Sequence, residues 1–211
     1  RGNGTLCSWG YNGFGQLGDG TTVDHAIPAP VTGISGPYLS ISAGFNHSVV
    51  ALSSGAARSF GYNGSGQLGD GTATNRSTPV TVSGITNCVE VSSGDNHSVF
   101  RLSTGTVSAC GYNGQGALGD GTTTTRLTPV NAIGTSNAGY ISSFYRSSGY
   151  INLSSPNLIC MTGDNGNGQL GDGTTTDKLV YSCINLSPTI TTGIINPTTY
   201  NQGATVSVPF T

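Results

Sequence analysis

One twelve-residue motif occurs four times along the chain. Gly10-Tyr11-Asn12-Gly13-Phe14-Gly15-Gln16-Leu17-Gly18-Asp19-Gly20-Thr21 returns as Gly61 to Thr72 and Gly111 to Thr122. A fourth copy, Gly163 to Thr174, has Asp164 in place of the tyrosine. The starts at 10, 61, 111 and 163 are 51, 50 and 52 residues apart. A second motif keeps the same step. Ser42-Ala43-Gly44-Phe45-Asn46-His47-Ser48 returns as Ser92 to Ser98, then decays to Ser142-Ser143-Phe144-Tyr145-Arg146-Ser147-Ser148, losing the glycine and the histidine. A unit copied at a fixed period cannot bury its apolar face alone, so its copies must stack.

A period near 50 fits propeller blades of four short strands better than helical repeats. The local patterns agree. Leu39 and Ile41 alternate with Ser40 and Ser42, Val80 and Val82 flank Thr81, and Val89 and Val91 flank Glu90. No segment has a 3.6-residue period, and Lys and Glu, the usual surface residues of helices, occur once each, as Lys178 and Glu90. The expected class is all-β, with three near-complete blades and one partial. In each motif the Asp-Gly pair (Asp19, Asp70, Asp120, Asp172) marks a turn. Gly10, Gly61, Gly111 and Gly163 open that turn, and Asn12, Asn63, Asn113 and Asn165 follow two residues on. Leu17, Leu68, Leu118 and Leu170 are expected to plug the core between blades.

The motif with its Trp9, a Pro-Val pair (Pro79-Val80, Pro129-Val130) and Ala43-Gly44-x-x-His47-Ser48 resembles the regulator of chromosome condensation repeat family. The resemblance covers roughly residues 4 to 186 and implies a β-propeller, typically of seven blades. Seven such blades need about 350 residues, so these 211 account for about half a ring. It also implies nucleotide exchange on a GTPase and chromatin binding, and neither transfers easily. Chromatin contact needs a clustered basic face, whereas the net charge is -2 and the seven Lys and Arg are scattered. Other family members are pure protein-binding surfaces. Trp occurs once; Phe60, Ala109-Cys110 and Met161-Thr162 hold the matching places.

The repeats span residues 1–186. Residues 187–211 have no Gln-Leu-Gly signature. Ile194-Ile195-Asn196-Pro197 and Gly203-Ala204-Thr205-Val206-Ser207-Val208 resemble the start of an immunoglobulin-like module, and a linker of two extended segments fits equally. Thr189–Ile195 and Ala204–Val208 could also pair with an exposed sheet edge. There is no run of 18 apolar residues, no signal sequence and no initiator Met, so the chain reads as a non-membrane piece of something longer.

Five cysteines, Cys7, Cys88, Cys110, Cys160 and Cys183, contain no C-x-x-C pair and give no zinc signature. Similar spacings suggest Cys88–Cys110 and Cys160–Cys183 bridges, leaving Cys7 for an intermolecular bond; the alternative is that all are buried thiols. Ser and Thr total 54 of 211 residues and only 8% are charged, which reads as extracellular. Of seven N-x-Ser/Thr sequons, Asn75 is the best acceptor, followed by Asn3, Asn152 and Asn185; Asn46, Asn63 and Asn96 belong to repeated motifs.

Catalytic signals are weak. His47 and His97 recur once per blade, which assigns them to blade structure, and His25 reads as an isolated exposed loop residue. The Gly-x-Gly-x-x-Gly spacings precede no helix, and Asp164 to Gly168 lacks the carboxylates of a calcium loop. No cofactor is expected. The first functional reading is a non-enzymatic extracellular or cell-surface structural protein that self-associates into a filament or array. The second is a recognition module for a protein or glycan, hinted at by Arg101, Tyr145, Arg146 and Tyr150. Neither involves nucleic acid or membrane insertion.

Overall fold

The computed structural model describes residues 4–155 and 157–186. The tail segments and the Asn3 sequon lie outside them. The described residues form fourteen strands in four antiparallel sheets and no helix. A half-blade pairs β1 (Cys7–Gly10) with β2 (His25–Pro30). The first full blade has β3 (Tyr38–Ala43), β4 (His47–Leu52), β5 (Ala57–Gly61) and β6 (Arg76–Thr81). The second has β7 (Cys88–Ser93), β8 (His97–Leu102), β9 (Val107–Gly111) and β10 (Arg126–Asn131). The third has β11 (Ala138–Phe144), β12 (Ser147–Asn152), β13 (Leu158–Gly163) and β14 (Lys178–Asn185). Each sheet is ordered sequentially, every strand pairing antiparallel with the next. The sheets do not close into a ring.

Blade and repeat are out of phase. The long motif lies between the third and fourth strands of a sheet, and the histidine motif spans the hairpin of the first and second strands of the following sheet. The partial blade is therefore β1 and β2, at the start of the chain, while the fourth motif completes the third full blade.

The core consists of slabs between sheets. One slab joins Val49, Ala51, Ala57, Val82 and Ile85 to Cys88, Val91, Phe100 and Cys110 of the second blade. The next joins Val99, Val107, Ala109, Leu118 and Ala132 to Ala138, Ile141, Tyr150 and Cys160 of the third. A smaller one joins Val31 to Val50 and Phe60. Leu17, Leu68, Leu118 and Leu170 are all buried. Full burial of a side chain such as Phe100 contributes about 1.5–3 kcal/mol. The alternation in β3 runs opposite to a simple amphipathic strand: Ser40 and Ser42 turn toward β7, bonding the Val91 and Ser93 amides, while Ile41 is 62% exposed. The equivalent Val91 and Ile141 are 5% and 8% exposed because a preceding blade covers them.

The cysteine expectation needs one correction. Cys160 and Cys183 face each other across β13 and β14 and are bridged, but Cys88 and Cys110 are free buried thiols. Cys88 lies opposite Leu102 and Cys110 opposite Ser98, so β8 separates them. Two strand spacings of about 4.8 Å exceed the roughly 7 Å reach of a disulfide. Cys7 is free and exposed.

Candidate protein-interaction site

Every motif turn is held by its asparagine. In the second copy, Asn63 Nδ2 donates to Asp70 Oδ1 (3.1 Å) and to the Thr72 and Thr74 carbonyls, while its Oδ1 accepts from the Leu68 amide (2.9 Å). Asn12, Asn113 and Asn165 repeat the bonds to Asp19, Asp120 and Asp172, and to the Leu17, Leu118 and Leu170 amides. All four asparagines are fully buried. The long loop thus satisfies its buried polar groups with one repeated amide, and it is this loop that delivers the core leucine.

Each turn aspartate also pairs with a base six residues later: His25, Arg76, Arg126 and Lys178. Burial alone would raise the Asp19 carboxyl, but hydrogen bonds from Thr21, His25 and Asn12 outweigh it and bring it to about 2. Asp70 and Asp120 are lowered the same way against the same burial, with Thr72 and Thr122 as the main donors. Asp172 is lowered chiefly by Lys178. His25 is therefore the first member of the basic series, not an isolated loop residue. Sequence reasoning missed these pairs, although the bases share the motif's period.

Contacts between blades form a second repeated set. Gly15, Gly66 and Gly116 have positive φ, and a Cβ at each would come within 2.5–2.7 Å of Ser77, Leu127 and Leu179 on the last strand of the next blade. The Gly20, Gly71 and Gly121 amides donate to those same three carbonyls. Gln16 and Gln67 donate to Asn46 and Asn96 across the seam. His47 Nε2 meets Ser98 Oγ at 3.0 Å, and His97 Nε2 meets Ser148 Oγ at 2.8 Å. Ser98 donates its only hydroxyl hydrogen to the Gln67 carbonyl, so it accepts from His47, which carries its proton on Nε2. Burial holds His47 down at about 3 and His97 at about 4, so both are neutral at physiological pH. A side chain at Gly44 or Gly94 would overlap the imidazole ring beside it, at 2.4 and 2.2 Å.

The outer face of the third blade presents the glycine and glutamine of this set without a partner among the described residues, with Ser147 in place of the histidine. Gly168 meets no neighbouring blade, and Gln169, the counterpart of buried Gln16 and Gln67, is exposed. Tyr140, Phe144, Ile151 and Met161 line a cavity of about 570 Å³ there. Phe144 is 83% exposed. A similar cavity of about 580 Å³ opens beside the half-blade, lined by Trp9, Ile41, Phe45 and His47.

The predicted aromatic and arginine cluster is partly assembled. Arg101 pairs with Glu90, and Tyr150 is buried, so neither belongs to it. Arg146 lies over the rings of Tyr145 (4.9 Å) and Tyr112 (5.4 Å). Of the candidate sequons, Asn75 is exposed but its Oδ1 accepts from the Asn63 amide; Asn152 is half-buried and caps Ser154, and Asn185 is exposed on β14. Among the described residues no three His, Cys, Asp or Glu side chains gather as a metal set.

Stacked four-stranded blades, joined by periodic glycine, glutamine and histidine contacts, define a β-propeller built from sequence repeats. The chain belongs to the regulator of chromosome condensation (RCC1) repeat family: models of that repeat match residues 3–51 and 54–101, and 39–67 and 88–117. The ultraviolet-B receptor UVR8 of Arabidopsis thaliana is 36% identical over 81 residues, which is 38% of this chain and 18% of that protein. The probable E3 ubiquitin-protein ligase HERC4 of Rattus norvegicus is 40% identical over 83 residues, 38% of this chain and 8% of that one. Among solved structures, Prp20p from Saccharomyces cerevisiae, characterised with its binding properties to Gsp1p and histones, superposes with a TM-score of 0.74 at 20% identity. That match covers 88% of this chain and 47% of that one. Human WBSCR16 gives 0.74 at 18% identity, over 87% of this chain and 48% of that one. The chain thus spans less than half the length of these relatives and structures.

Proposed function

We propose that the chain is a non-enzymatic, extracellular protein-interaction module that associates through blade faces with copies of itself, building a filament or cell-surface array. The outer face of the third blade carries this reading: Gly168 and Gln169 repeat seam positions that elsewhere close on a neighbouring blade, and exposed Phe144 lines the same cavity as Gln169. The Cys160–Cys183 bridge supports an oxidising compartment, as do the exposed sequons. Protein binding by a relative, yeast RCC1 (Prp20) bound to Kap60, supports the broader interaction role. Sedimentation velocity of the full chain across a concentration series tests it. Concentration-dependent association that Phe144→Asp abolishes is expected; a monomer at every concentration removes the self-association reading.

The second reading is a recognition module for a protein or glycan on one propeller rim. The Arg146 cluster favours it, because Arg146 and Tyr112 meet across the seam between two complete blades, while Tyr145 extends the cluster to the rim of the open-face cavity.

A further inference from the structure

We infer that Tyr112, Tyr145 and Arg146 form a docking site for an acidic protein segment, with the Arg146 guanidinium receiving its carboxylate. This deepens the recognition reading. It starts from one seam rebuilt at several positions. At the two earlier seams a glutamine (Gln16, Gln67) bonds an asparagine (Asn46, Asn96). At the third, Ala117 replaces the glutamine and Arg146 the asparagine. The backbone is retained: the Arg146 carbonyl still accepts from the Asp164 amide, as Asn46 and Asn96 accept from Tyr62 and Tyr112. The lost amide pair therefore has no structural replacement in the new side chain.

The arginine itself is uncommitted. Arg76, Arg101 and Arg126 are in ion pairs, and Arg58 bonds Thr81. Among the described residues Arg146 has neither an ion pair nor a side-chain hydrogen bond, only the two tyrosine rings. Stacking fixes the guanidinium plane and leaves its five in-plane donors free for a carboxylate. Asp95 and Asp164 flank the turn, but neither forms an ion pair with it: the Asp95 amide bonds the Tyr145 carbonyl, and the Asp164 carboxylate bonds the Gly166 amide.

Strain points the same way. Tyr145 has φ of 50°, in a two-residue hairpin loop whose equivalent residues, Phe45 and Asp95, do not share that conformation. A bulky side chain in the left-handed region is disfavoured, and such outliers persist where surrounding contacts or function demand them. Here the conformation brings an exposed tyrosine against Arg146, beside the more exposed Phe144. Tyrosine and arginine together are the composition of protein-binding hot spots, which favours a polypeptide over a sugar.

The full chain is titrated with three probes: a random glutamate-tyrosine copolymer, its lysine-tyrosine counterpart, and hyaluronate as a carboxylated glycan. Binding of the glutamate-tyrosine copolymer alone is expected, weakened about tenfold or more by Arg146→Gln and restored only in part by Arg146→Lys, since lysine lacks the planar fork. Tyr145→Gly is expected to raise the thermal midpoint while weakening binding, a combination that a purely structural tyrosine does not give. Circular dichroism checks that each variant is folded. No binding of the glutamate-tyrosine copolymer, or binding that Arg146→Gln leaves unchanged, overturns the site. Hyaluronate binding that needs Arg146, without copolymer binding, overturns the polypeptide assignment and leaves the recognition reading standing.

Discussion

His47 and Ser98 lie 51 residues apart in sequence and share a buried hydrogen bond across a blade seam. One blade later, His97 and Ser148 repeat it. The pair links a neutral imidazole to the packing of two sheets, so protonation and blade docking are thermodynamically coupled.

That coupling sets an acid limit on stability. Both histidines are lowered in the folded state, to about 3 and about 4, from an ordinary 6.5. Between those values the unfolded chain binds more protons, so stability is full above pH 6.5 and falls as pH drops. Each histidine costs about 1.4 kcal/mol per pH unit, or about 2 kcal/mol by pH 5. Urea midpoints from pH 7.5 to 4.5 are expected to decline, and a His47→Gln, His97→Gln double variant to flatten the slope above pH 5. An unchanged slope in that variant places the proton uptake elsewhere.

Asn63→Ala is expected to destabilise the chain by about 3 kcal/mol or more. It strands the buried Leu68 amide and two carbonyls, each worth about 1–3 kcal/mol when left unpaired. Equilibrium urea unfolding measures it, and a loss below about 1 kcal/mol contradicts the role assigned to this amide.

Val91 and Ile41 occupy the same repeat position in different surroundings. Val91→Ala is expected to cost about 2 kcal/mol, from lost burial and the cavity left behind. Ile41→Ala in the monomer is expected to stay within about 0.5 kcal/mol. Comparable losses from both would mean that another blade covers Ile41 in solution.

Thiol titration of the native chain is expected to detect Cys7 alone. Burial raises the Cys88 thiol to about 12 and pushes Cys110 higher still, so neither supplies thiolate. Unfolding without reductant should expose all three. Replacing Cys183 with Ser removes a cross-link and is expected to cost about 2–4 kcal/mol. Rapid native reaction of two or more thiols would contradict the described packing.

The fold was legible because its unit is copied: glycine turns, core leucines and strand alternation recur at one step. The half-blade's position was not, because the motif marks the loop before a fourth strand, not a blade edge. Cys88–Cys110 and Cys160–Cys183 have nearly equal spacing, and only strand order tells them apart: one pair spans a neighbouring strand pair, the other a whole intervening strand. The aspartate-to-base pairs were visible as a periodic charge, yet His25, Arg76, Arg126 and Lys178 differ in type and obscured it. Arg146 and its neighbour Tyr145 were singled out from the sequence, but Tyr112 was not, since it reaches Arg146 from another blade.

The half-period offset between repeat and blade has an evolutionary consequence. A duplicated stretch of one period copies a joint together with half of each adjoining sheet. Every new copy therefore arrives with both complementary surfaces already matched, and a gene can lengthen or shorten by whole periods without inventing a contact. The third joint, where alanine and arginine replace the amide pair, shows how one copy can then diverge while the backbone on either side keeps its register.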